Sequence, residues 1–277
     1  MTEILDCKVV AEAMKADVRQ RVVKSNKLIK LCIITVGNDA ASAAYVRGKI
    51  QDCAECGIAV EHIVLPHFIN IGDFEDIIQN VNERDDINAV IVQLPVPFDK
   101  SEFIELIDPA KDVDCFTLEN LGRFYSGNAF VKPCTPAGIC ALLDYYDINV
   151  AGMNALVIGR SDIVGQPMAK MLTDRNATVT LAHSYTNLKH FENIVRNANI
   201  VVSAIGKPDV INPWWFDMDS IIIDVGINYV DGKMRGDIDT DNVIYTDYAK
   251  YITSVPGGVG LLTRAQLMQN IAKVSGI

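Results

Sequence analysis

The stretch ALVIGRSDIVGQP, from Ala155 to Pro167, decides the fold class of this chain of 277 residues. Its four apolar residues run directly into Gly159, and helical spacing begins near Val164. A strand, a glycine turn and a helix start are typical of a phosphate-binding turn, because glycine permits close backbone approach and the positive end of the helix faces the phosphate. Ser161 stands where the middle glycine of G-x-G-x-x-G is usual, so a plain strand-to-helix turn is an equal alternative.

Helices and strands alternate on both sides of this stretch. Helical spacing of apolar residues predicts helices at 6–23, 39–56, 74–82, 136–146, 164–172 and 263–274. Short apolar runs predict strands at 31–36, 60–65, 89–94, 155–158, 178–182, 200–204 and 221–225. Apolar strands between helices indicate parallel sheets covered on both faces, so we predict an α/β fold with two doubly wound domains, the second Rossmann-like.

The length also indicates two domains, because one core usually serves about 100–200 residues. The boundary is predicted near Asp147 to Gly152, before the strand that opens the second βαβ unit. This gives domains of residues 1–147 and 148–260. Residues 261–277 contain a final helix that can pack back on the first domain.

The composition excludes several classes of protein. The net charge of −10 argues against a general nucleic-acid surface, which needs clustered Lys and Arg. The apolar runs are far shorter than the roughly 20 residues of a membrane helix. The N-terminal segment has acidic residues early and lacks the basic-then-apolar order of a signal peptide. We therefore expect a cytoplasmic protein with no nucleic-acid or membrane partner.

The seven cysteines are not spaced as in a disulfide framework, and we expect them to be reduced thiols. Cys53 and Cys56 form a C-x-x-C pair, but the pair lies late in a predicted helix and has no second pair to complete a zinc site. We interpret it as structural and predict no metal site.

The strand at 178–182 bears on the choice of dinucleotide. It ends at His183 and Ser184, where an NAD enzyme typically carries an acidic residue for the ribose. A carboxylate there would repel a 2′-phosphate, whereas Arg160 and the hydroxyl of Ser184 could bind one. The sequence therefore favours NADP over NAD, although Arg160 as a solvated loop cation is the plain alternative.

A second group of polar residues lies in the first half. Tyr45 and Lys49 are spaced i, i+4 and share a helix face with Asp52 and Cys56 below them. Taken alone, such a pair more often lies on a solvent-exposed helix surface and has no functional role. However, the apolar strand before Gln93 ends in this amide, and ligands bind at the carboxyl ends of strands in open α/β sheets. The segment 111–114, KDVD, supplies carboxylates on a nearby loop.

Eight short motifs lie in a fixed order along nearly the whole chain: YVRGK (45–49), VQLPVP (92–97), KDVD (111–114), PCTP (133–136), GRSDIVGQP (159–167), HS (183–184), IDVGIN (223–228) and VPGGVG (255–260). Each is weak singly. Together they resemble the signature of the bifunctional methylenetetrahydrofolate dehydrogenase/methenyltetrahydrofolate cyclohydrolase family.

The resemblance implies NADP-dependent oxidation of methylenetetrahydrofolate and hydrolysis of the methenyl product to formyltetrahydrofolate. These steps belong to one-carbon metabolism, which feeds purine biosynthesis. The resemblance also implies folate binding by residues 1–147, NADP binding by 148–260, and a folate site in a cleft between the domains. A homodimer and a polyglutamylated folate substrate are further expectations.

The same resemblance implies the site residues. Tyr45 and Lys49 would lie at the one-carbon unit, Gln93 would support the lysine, and Asp114 would bind the pterin. Further folate contacts are implied for Val92, Leu94, Pro95, Pro256, Gly257, Gly258, Val259 and Gly260. The predicted cofactor set is Gly159, Arg160, Ser161, Gly165, His183, Ser184, Ile227 and Thr135.

The sequence departs from the family pattern in three places. Cys115 stands where the family usually has glycine after DVD, Ser254 replaces the proline before VPGG, and the pair Leu261-Leu262 replaces Pro-Met. A side chain at Cys115 would narrow the pterin pocket or restrict the φ angle of the loop.

Three other functions stay open from the sequence. A dehydrogenase that has lost most hydrolysis is the nearest. A catalytically silent NADP sensor would leave Lys49, Gln93 and Asp114 without a role. An oxidoreductase acting on a hydroxy acid would leave the VQLPVP and VPGGVG segments unexplained.

Overall fold

The computed structural model describes residues 1–208 and 210–277. Its helices are α1 Cys7–Ser25, α2 Ala40–Cys56, α3 Ile71–Asn82, α4 Lys100–Phe103, α5 Leu118–Tyr125, α6 Cys134–Tyr145, α7 Gly165–Asp174, α8 Leu188–Arg196, α9 Thr240–Thr246 and α10 Val259–Val274. Its strands are β1 Glu3–Ile4, β2 Lys30–Val36, β3 Ala59–Leu65, β4 Ala89–Val92, β5 Asn154–Ile158, β6 Thr178–Ala182, β7 Ile200–Ser203, β8 Ile221–Asp224, β9 Asn228–Val230, β10 Lys233–Arg235 and β11 Tyr251–Ile252.

The helices and strands predicted from the sequence are present, with ends shifted by no more than about one helical turn. Several short elements, among them α5, α8 and α9, were not predicted from the sequence. In the described part of the chain, none of the helices is long and apolar enough to cross a membrane.

The chain divides into two compact units. Unit 1 comprises Met1–Ala11 and Thr135–Thr263, and unit 2 comprises Glu12–Cys134 and Arg264–Ile277. Helices α1 and α10 therefore each contribute to both units.

Unit 1 contains a sheet in the order β1-β11-β8-β7-β5-β6, in which all neighbouring strands are parallel. Its core includes Leu156 of β5, Val201 of β7 and Ile222 of β8, all at most 1% exposed. The chain turns to opposite sides of β5 to form β6 and β7, so the carboxyl end of β5 lies where the strand order reverses. Ligands bind at such a point in doubly wound sheets. Strands β9 and β10 form a separate antiparallel pair, which the prediction of parallel sheets did not include.

Unit 2 contains a parallel sheet in the order β3-β2-β4. Successive residues of β2 enter opposite cores, as the period of two in a strand requires. Leu31 and Ile33 pack in the cluster that contains Met268 of α10, whereas Cys32 and Ile34 pack in the cluster around Phe74 of α3. Apolar layers thus cover both faces of this sheet, as the doubly wound prediction requires.

The division between the units falls between Cys134 and Thr135, whereas the sequence places a domain boundary near residue 147. Close packing of α6 in unit 1 is the physical reason for the difference. Gly138 of α6 lies against Leu262, and a Cβ at Gly138 would stand 2.9 Å from the backbone of Leu262. In addition, β1 pairs with β11 and so joins the start of the chain to unit 1.

Candidate active site

Helix α2 of unit 2 presents Lys49 toward the end of β4. Asp39 caps the start of this helix by accepting a hydrogen bond from the Ser42 N–H, and Gly57 ends it with a φ of 77°. The Lys49 side chain is buried, at 7% exposure, and its Nζ donates to Oε1 of Gln93 over 3.0 Å. Gln93 directly follows β4, and its Nε2 donates to the Leu94 carbonyl over 2.9 Å. The amide is therefore fixed with its oxygen toward the lysine.

Asp114 lies in the loop that follows the segment paired with β4. Its burial raises the pKa of the Asp114 carboxyl, and the positive charge of Lys49 opposes this shift. The thiol of Cys134 donates to Asp114 Oδ1 over 3.7 Å. The structure thus brings Lys49, Gln93 and Asp114 into one group within unit 2.

Asp112 shapes the loop that holds Asp114. Its buried carboxylate accepts hydrogen bonds from the N–H groups of Phe116 and Thr117 and from the side chain of Asn120. Its other oxygen accepts from the Asp114 N–H over 3.2 Å. Asp112 is therefore a structural carboxylate that fixes the backbone on both sides of Asp114.

Cys115 adopts the left-handed backbone conformation, with a φ of 63°. This conformation explains why glycine suits the position, since a side chain makes it less favourable. The Cys115 side chain is buried, and burial raises the pKa of its thiol to about 12.

Tyr45 lies one helical turn before Lys49 on α2. Burial raises the pKa of its phenol, and the charge of Arg264 opposes this shift. Arg264 belongs to α10 but lies in unit 2, where its Nε is 3.1 Å from Oδ2 of Asp52. Arg264 was not predicted from the sequence as a site residue. One signal for it was Gly48, because a glycine inside a helix usually has a packing reason.

The remaining predicted folate residues fall in both units. In unit 2, Val92 is buried, Leu94 is half-buried and Pro95 is exposed, and the Leu94–Pro95 peptide is cis. In unit 1, the segment 256–260 leads into α10, with Pro256 and Gly257 exposed. Gly258 and Val259 are buried and Gly260 is half-buried.

The predicted phosphate-binding turn lies at the carboxyl end of β5 in unit 1. Gly159 has a φ of 116°, and a Cβ there would overlap the Ala204 carbonyl. A Cβ at Gly165 would likewise overlap the Gly159 carbonyl. Both positions therefore require glycine. The Ser161 hydroxyl accepts from the N–H groups of Val164 and Gly165, each over 3.3 Å, so these helix-start donors are not all free.

Arg160 and Ser184 are both exposed, as binding to an anionic group requires. The Arg160 guanidinium lies 5.6 Å from the ring centroid of Tyr185. His183 accepts a hydrogen bond at Nδ1 from the Tyr185 N–H over 3.2 Å, so this ring nitrogen orders the turn. The close glycine turn and the exposed cation fit a dinucleotide with a 2′-phosphate.

Two buried aspartates of unit 1 organise the segment that contains Ile227, which is 41% exposed. Asp224 accepts from the N–H groups of Gly226, Asp237 and Ile238. Asp237 accepts from the Ser203 hydroxyl and from the N–H groups of Ile205 and Lys207. Neither carboxylate was predicted from the sequence to organise the backbone around it. The remaining predicted cofactor residue, Thr135, shares a hydrogen bond of 2.9 Å with Thr263.

The C-x-x-C pair is part of the core of unit 2. Cys53 and Cys56 are fully buried, and burial raises the pKa of Cys56 to about 11. Burial also raises the pKa of Cys53. These properties match the structural interpretation of the pair.

Two family sequence models match the chain. The model described as "Tetrahydrofolate dehydrogenase/cyclohydrolase, catalytic domain" matches residues 5–114. The model described as "Tetrahydrofolate dehydrogenase/cyclohydrolase, NAD(P)-binding domain" matches residues 133–276. The Bifunctional protein FolD of Lactobacillus acidophilus is 42% identical over 280 residues, which cover 99% of this chain and 98% of the relative.

Solved structures give the same result. The bifunctional FolD enzyme of Campylobacter jejuni superposes with a TM-score of 0.94 at 35% identity, covering 99% of both chains. The methylenetetrahydrofolate dehydrogenase-cyclohydrolase of Trypanosoma brucei, which was solved with NADP cofactor and an inhibitor, has a TM-score of 0.92 at 32% identity. That alignment covers 99% of this chain and 97% of the other.

Proposed function

Because the chain belongs to the tetrahydrofolate dehydrogenase/cyclohydrolase family, we infer that it catalyses two successive steps on a folate-bound carbon. The first is the NADP-dependent oxidation of 5,10-methylenetetrahydrofolate to 5,10-methenyltetrahydrofolate. The second is the hydrolysis of this product to 10-formyltetrahydrofolate, in one-carbon metabolism. The observation that carries this function is the hydrogen bond between Lys49 and Gln93, with Asp114 beside it, in a chain that matches a family member over 99% of its length.

We propose that unit 2 supplies the folate-binding residues. Asp114 accepts hydrogen bonds from the amino and ring N–H edge of the pterin, because two adjacent donors suit a carboxylate. Tyr45 and Lys49 lie at the one-carbon unit, and Gln93 orients the lysine. Val92, Leu94 and Pro95 contribute further contacts. We assign the segment 256–260 of unit 1 to the same substrate.

Oxidation requires little proton chemistry from the protein. Removal of a hydride from the methylene carbon leaves a cation that the two folate nitrogens share, so no general base is obligatory. NADP⁺, when bound, supplies the hydride acceptor. The task of the residues in this step is to hold the folate in the reactive orientation and to limit access of water.

Hydrolysis requires a residue that moves protons. Water attacks the methenyl carbon and loses a proton, and a ring nitrogen gains a proton as the C–N bond opens to the formyl product. An amine can accept the first proton and return it to the ring nitrogen, and the hydroxyl proton of the adduct leaves to solvent as the formyl carbonyl forms, so that one proton is released overall. We assign both transfers to Lys49, because Gln93 does not titrate usefully and holds the lysine in place.

We propose that the turn at Gly159 and Gly165 binds the pyrophosphate of NADP and that Arg160 and Ser184 bind its 2′-phosphate. The two glycines support this assignment, since neither has room for a Cβ. The exposed guanidinium beside Tyr185 supports it as well. Ser161, His183, Ile227 and Thr135 complete the proposed cofactor site.

Three further proposals concern the cellular setting. All seven cysteines are buried thiols, which supports a reducing compartment such as the cytoplasm. The family resemblance supports a homodimer and a polyglutamylated substrate. Light scattering of the purified protein tests the dimer, and a comparison of KM for mono- and polyglutamylated folate tests the substrate.

The function is tested by incubating purified protein with methylenetetrahydrofolate and either NADP or NAD. Methenyl absorbance should rise and then decay with NADP, and should rise more slowly with NAD. A rise without enzymatic decay would show a dehydrogenase without hydrolysis. No change with either dinucleotide would contradict the proposal.

A further inference from the structure

Arg264 is fixed by a buried carboxylate beneath the proposed catalytic face of α2. Its Nε lies 3.1 Å from Oδ2 of Asp52, whose side chain is only 5% exposed. Asp52 Oδ1 lies 3.1 Å from Nζ of Lys15, and this lysine also pairs with Glu55 over 2.6 Å and with Glu12 over 2.8 Å. Burial by itself lowers the pKa of Lys15, but the three carboxylates outweigh it and raise the pKa above its ordinary value. Asp52 is therefore held between two cations, and it holds Arg264 in turn.

Gly48 provides the space that Arg264 occupies. A Cβ at Gly48 would overlap Nη1 of Arg264 and lie 2.8 Å from its Cζ. Gly48 is in the interior of α2, where glycine is less favourable than alanine by about 1 kcal/mol. The helix therefore carries an unfavourable residue at a position where the Arg264 guanidinium lies close to its backbone.

This placement puts a fixed positive charge beside Tyr45. Gly48 lies between Tyr45 and Lys49 along α2, and residues three apart are neighbours on a helix surface. Burial raises the pKa of the Tyr45 phenol, and the charge of Arg264 acts against this shift. A cation near a phenol favours loss of the proton, and for the same reason it makes the hydroxyl a stronger hydrogen-bond donor.

We propose that Arg264 is a positioning residue of the folate site. Its guanidinium, which is ion-paired with Asp52 and lies against Gly48, fixes the Tyr45 ring and strengthens the Tyr45 hydroxyl as a hydrogen-bond donor to the substrate. The inference rests on the proposed function, because it needs a substrate at Tyr45. Arg264 acts through Tyr45 and need not touch the folate.

The central test is Arg264→Met, which removes the charge but keeps an unbranched side chain. Asp52 retains Lys15, so the variant leaves no buried carboxylate unpaired. Misplacement of a substrate-contacting group costs up to roughly 100-fold in rate, so kcat for both activities should fall by about 10- to 100-fold. The cofactor Kd measured without folate should stay unchanged. The ionisation of Tyr45 can be followed as the part of the tyrosinate absorbance that is lost in Tyr45→Phe. In Arg264→Met this ionisation should occur at a higher pH than in the wild type.

Two double variants separate positioning from folding. In a Tyr45→Phe background, Arg264→Met should cause little further loss, because the residue through which Arg264 acts is already changed. Gly48→Ala should impair the wild type, but it should cost little in an Arg264→Ala background, where the guanidinium no longer occupies the site. If Arg264→Met does not fold, Gly48→Ala and Arg264→Lys test the positioning alone, because both retain the cation: kcat for both activities should fall while the cofactor Kd stays unchanged, and wild-type kcat in both would overturn the inference.

Arg21→Met is the matched control. Arg21 is also an ion-paired arginine of unit 2, with its Nη1 3.2 Å from Asp17 and 3.1 Å from Gln269 of α10. Its loss should leave kcat unchanged. The inference would be overturned if Arg264→Met kept the wild-type kcat, or if it lowered kcat equally in the presence and in the absence of Tyr45. Either result leaves the proposed function intact, provided that the wild-type protein has both activities. Absence of both activities in the wild type would instead contradict the proposed function.

Discussion

Lys49 of α2 donates a hydrogen bond of 3.0 Å to Gln93, the residue directly after β4. The contact fixes the amine at the carboxyl end of a parallel strand, where open α/β sheets bind ligands. Gln93 is itself held, because its Nε2 donates to the Leu94 carbonyl. The lysine side chain therefore has one defined direction, toward the end of β4.

Lys49→Gln should separate the two activities. Glutamine keeps bulk and hydrogen-bonding capacity but cannot carry a proton near neutral pH. A positioned acid–base group contributes about 10²–10⁴-fold, so hydrolysis should fall by that order, whereas oxidation should fall appreciably less. The measurement is methenyl absorbance after methylenetetrahydrofolate and NADP are added, which should accumulate in the variant and turn over in the wild type.

Lys30→Gln serves as the control for loss of a lysine from unit 2. Lys30 pairs with Asp86 at the surface, and its variant should keep both activities. If Lys49→Gln hydrolyses supplied methenyltetrahydrofolate at the wild-type rate, Lys49 does not carry the proton.

The sequence predicted the parts of this site that depend on local pattern. Tyr45 and Lys49 follow from helical spacing, and Gln93 follows from the end of an apolar strand. The glycine turn at Gly159 follows from the strand-to-helix transition. In each case the placement on a helix, strand or turn depends on a signal within a few residues, so periodicity and turn chemistry are enough for that placement. The folate and cofactor roles of these residues are instead implied by the order of the motifs along the chain.

The parts that the sequence did not predict depend on contacts between distant segments. Arg264 reaches Asp52 across more than 200 residues of sequence, and no local pattern links them. Asp224 and Asp237 accept hydrogen bonds from backbone N–H groups, which carry no side-chain signature. The packing of Gly138 against Leu262 likewise joins segments more than 100 residues apart, so no local pattern indicates it.

Asp114→Asn should lower both activities together. The change keeps the size of the side chain but replaces one acceptor with a donor, so it disrupts a pair of hydrogen bonds from the pterin edge. The loss of a hydrogen bond to a charged group is worth about 1.5–3 kcal/mol, or roughly 10- to 150-fold in kcat/KM. Steady-state kinetics with each folate measures this effect.

Asp112→Asn gives the contrasting result for the same loop. Its carboxylate accepts from the N–H groups of Phe116 and Thr117 and has no exposed surface to offer a ligand. The variant should lower the unfolding midpoint, whereas Asp114→Asn should leave both the midpoint and NADP affinity near the wild-type values. Collapse of NADP affinity in Asp114→Asn would make Asp114 a structural residue.

Arg160→Ala should weaken NADP far more than NAD. Only NADP carries the 2′-phosphate, and a charge-assisted contact is worth about 1.5–3 kcal/mol, or roughly 10- to 150-fold in Kd. Titration of the protein with each dinucleotide measures the two affinities. Arg196→Ala, which removes a surface cation of unit 1 paired with Glu192, should change neither. Equal weakening of both cofactors would show that Arg160 does not read the phosphate.

The buried carboxyl of Asp224 should make the stability of unit 1 depend on pH in a defined direction. Burial raises the pKa of Asp224 from 3.8 to about 6, against the opposing effect of its backbone hydrogen bonds. Between these values the folded state binds the proton more tightly than the unfolded state, so the free energy of unfolding falls as pH rises through this window and is constant above it. A difference of about two pKa units corresponds to about 3 kcal/mol at most.

Asp224→Asn removes the titration, so the wild type should gain stability relative to the variant as pH falls from 7 to 4. Denaturant unfolding of both proteins across this range measures the difference, and Asp219→Asn controls for a surface aspartate of the same unit. Parallel stability curves for the wild type and Asp224→Asn would mean that Asp224 keeps an ordinary pKa in the fold.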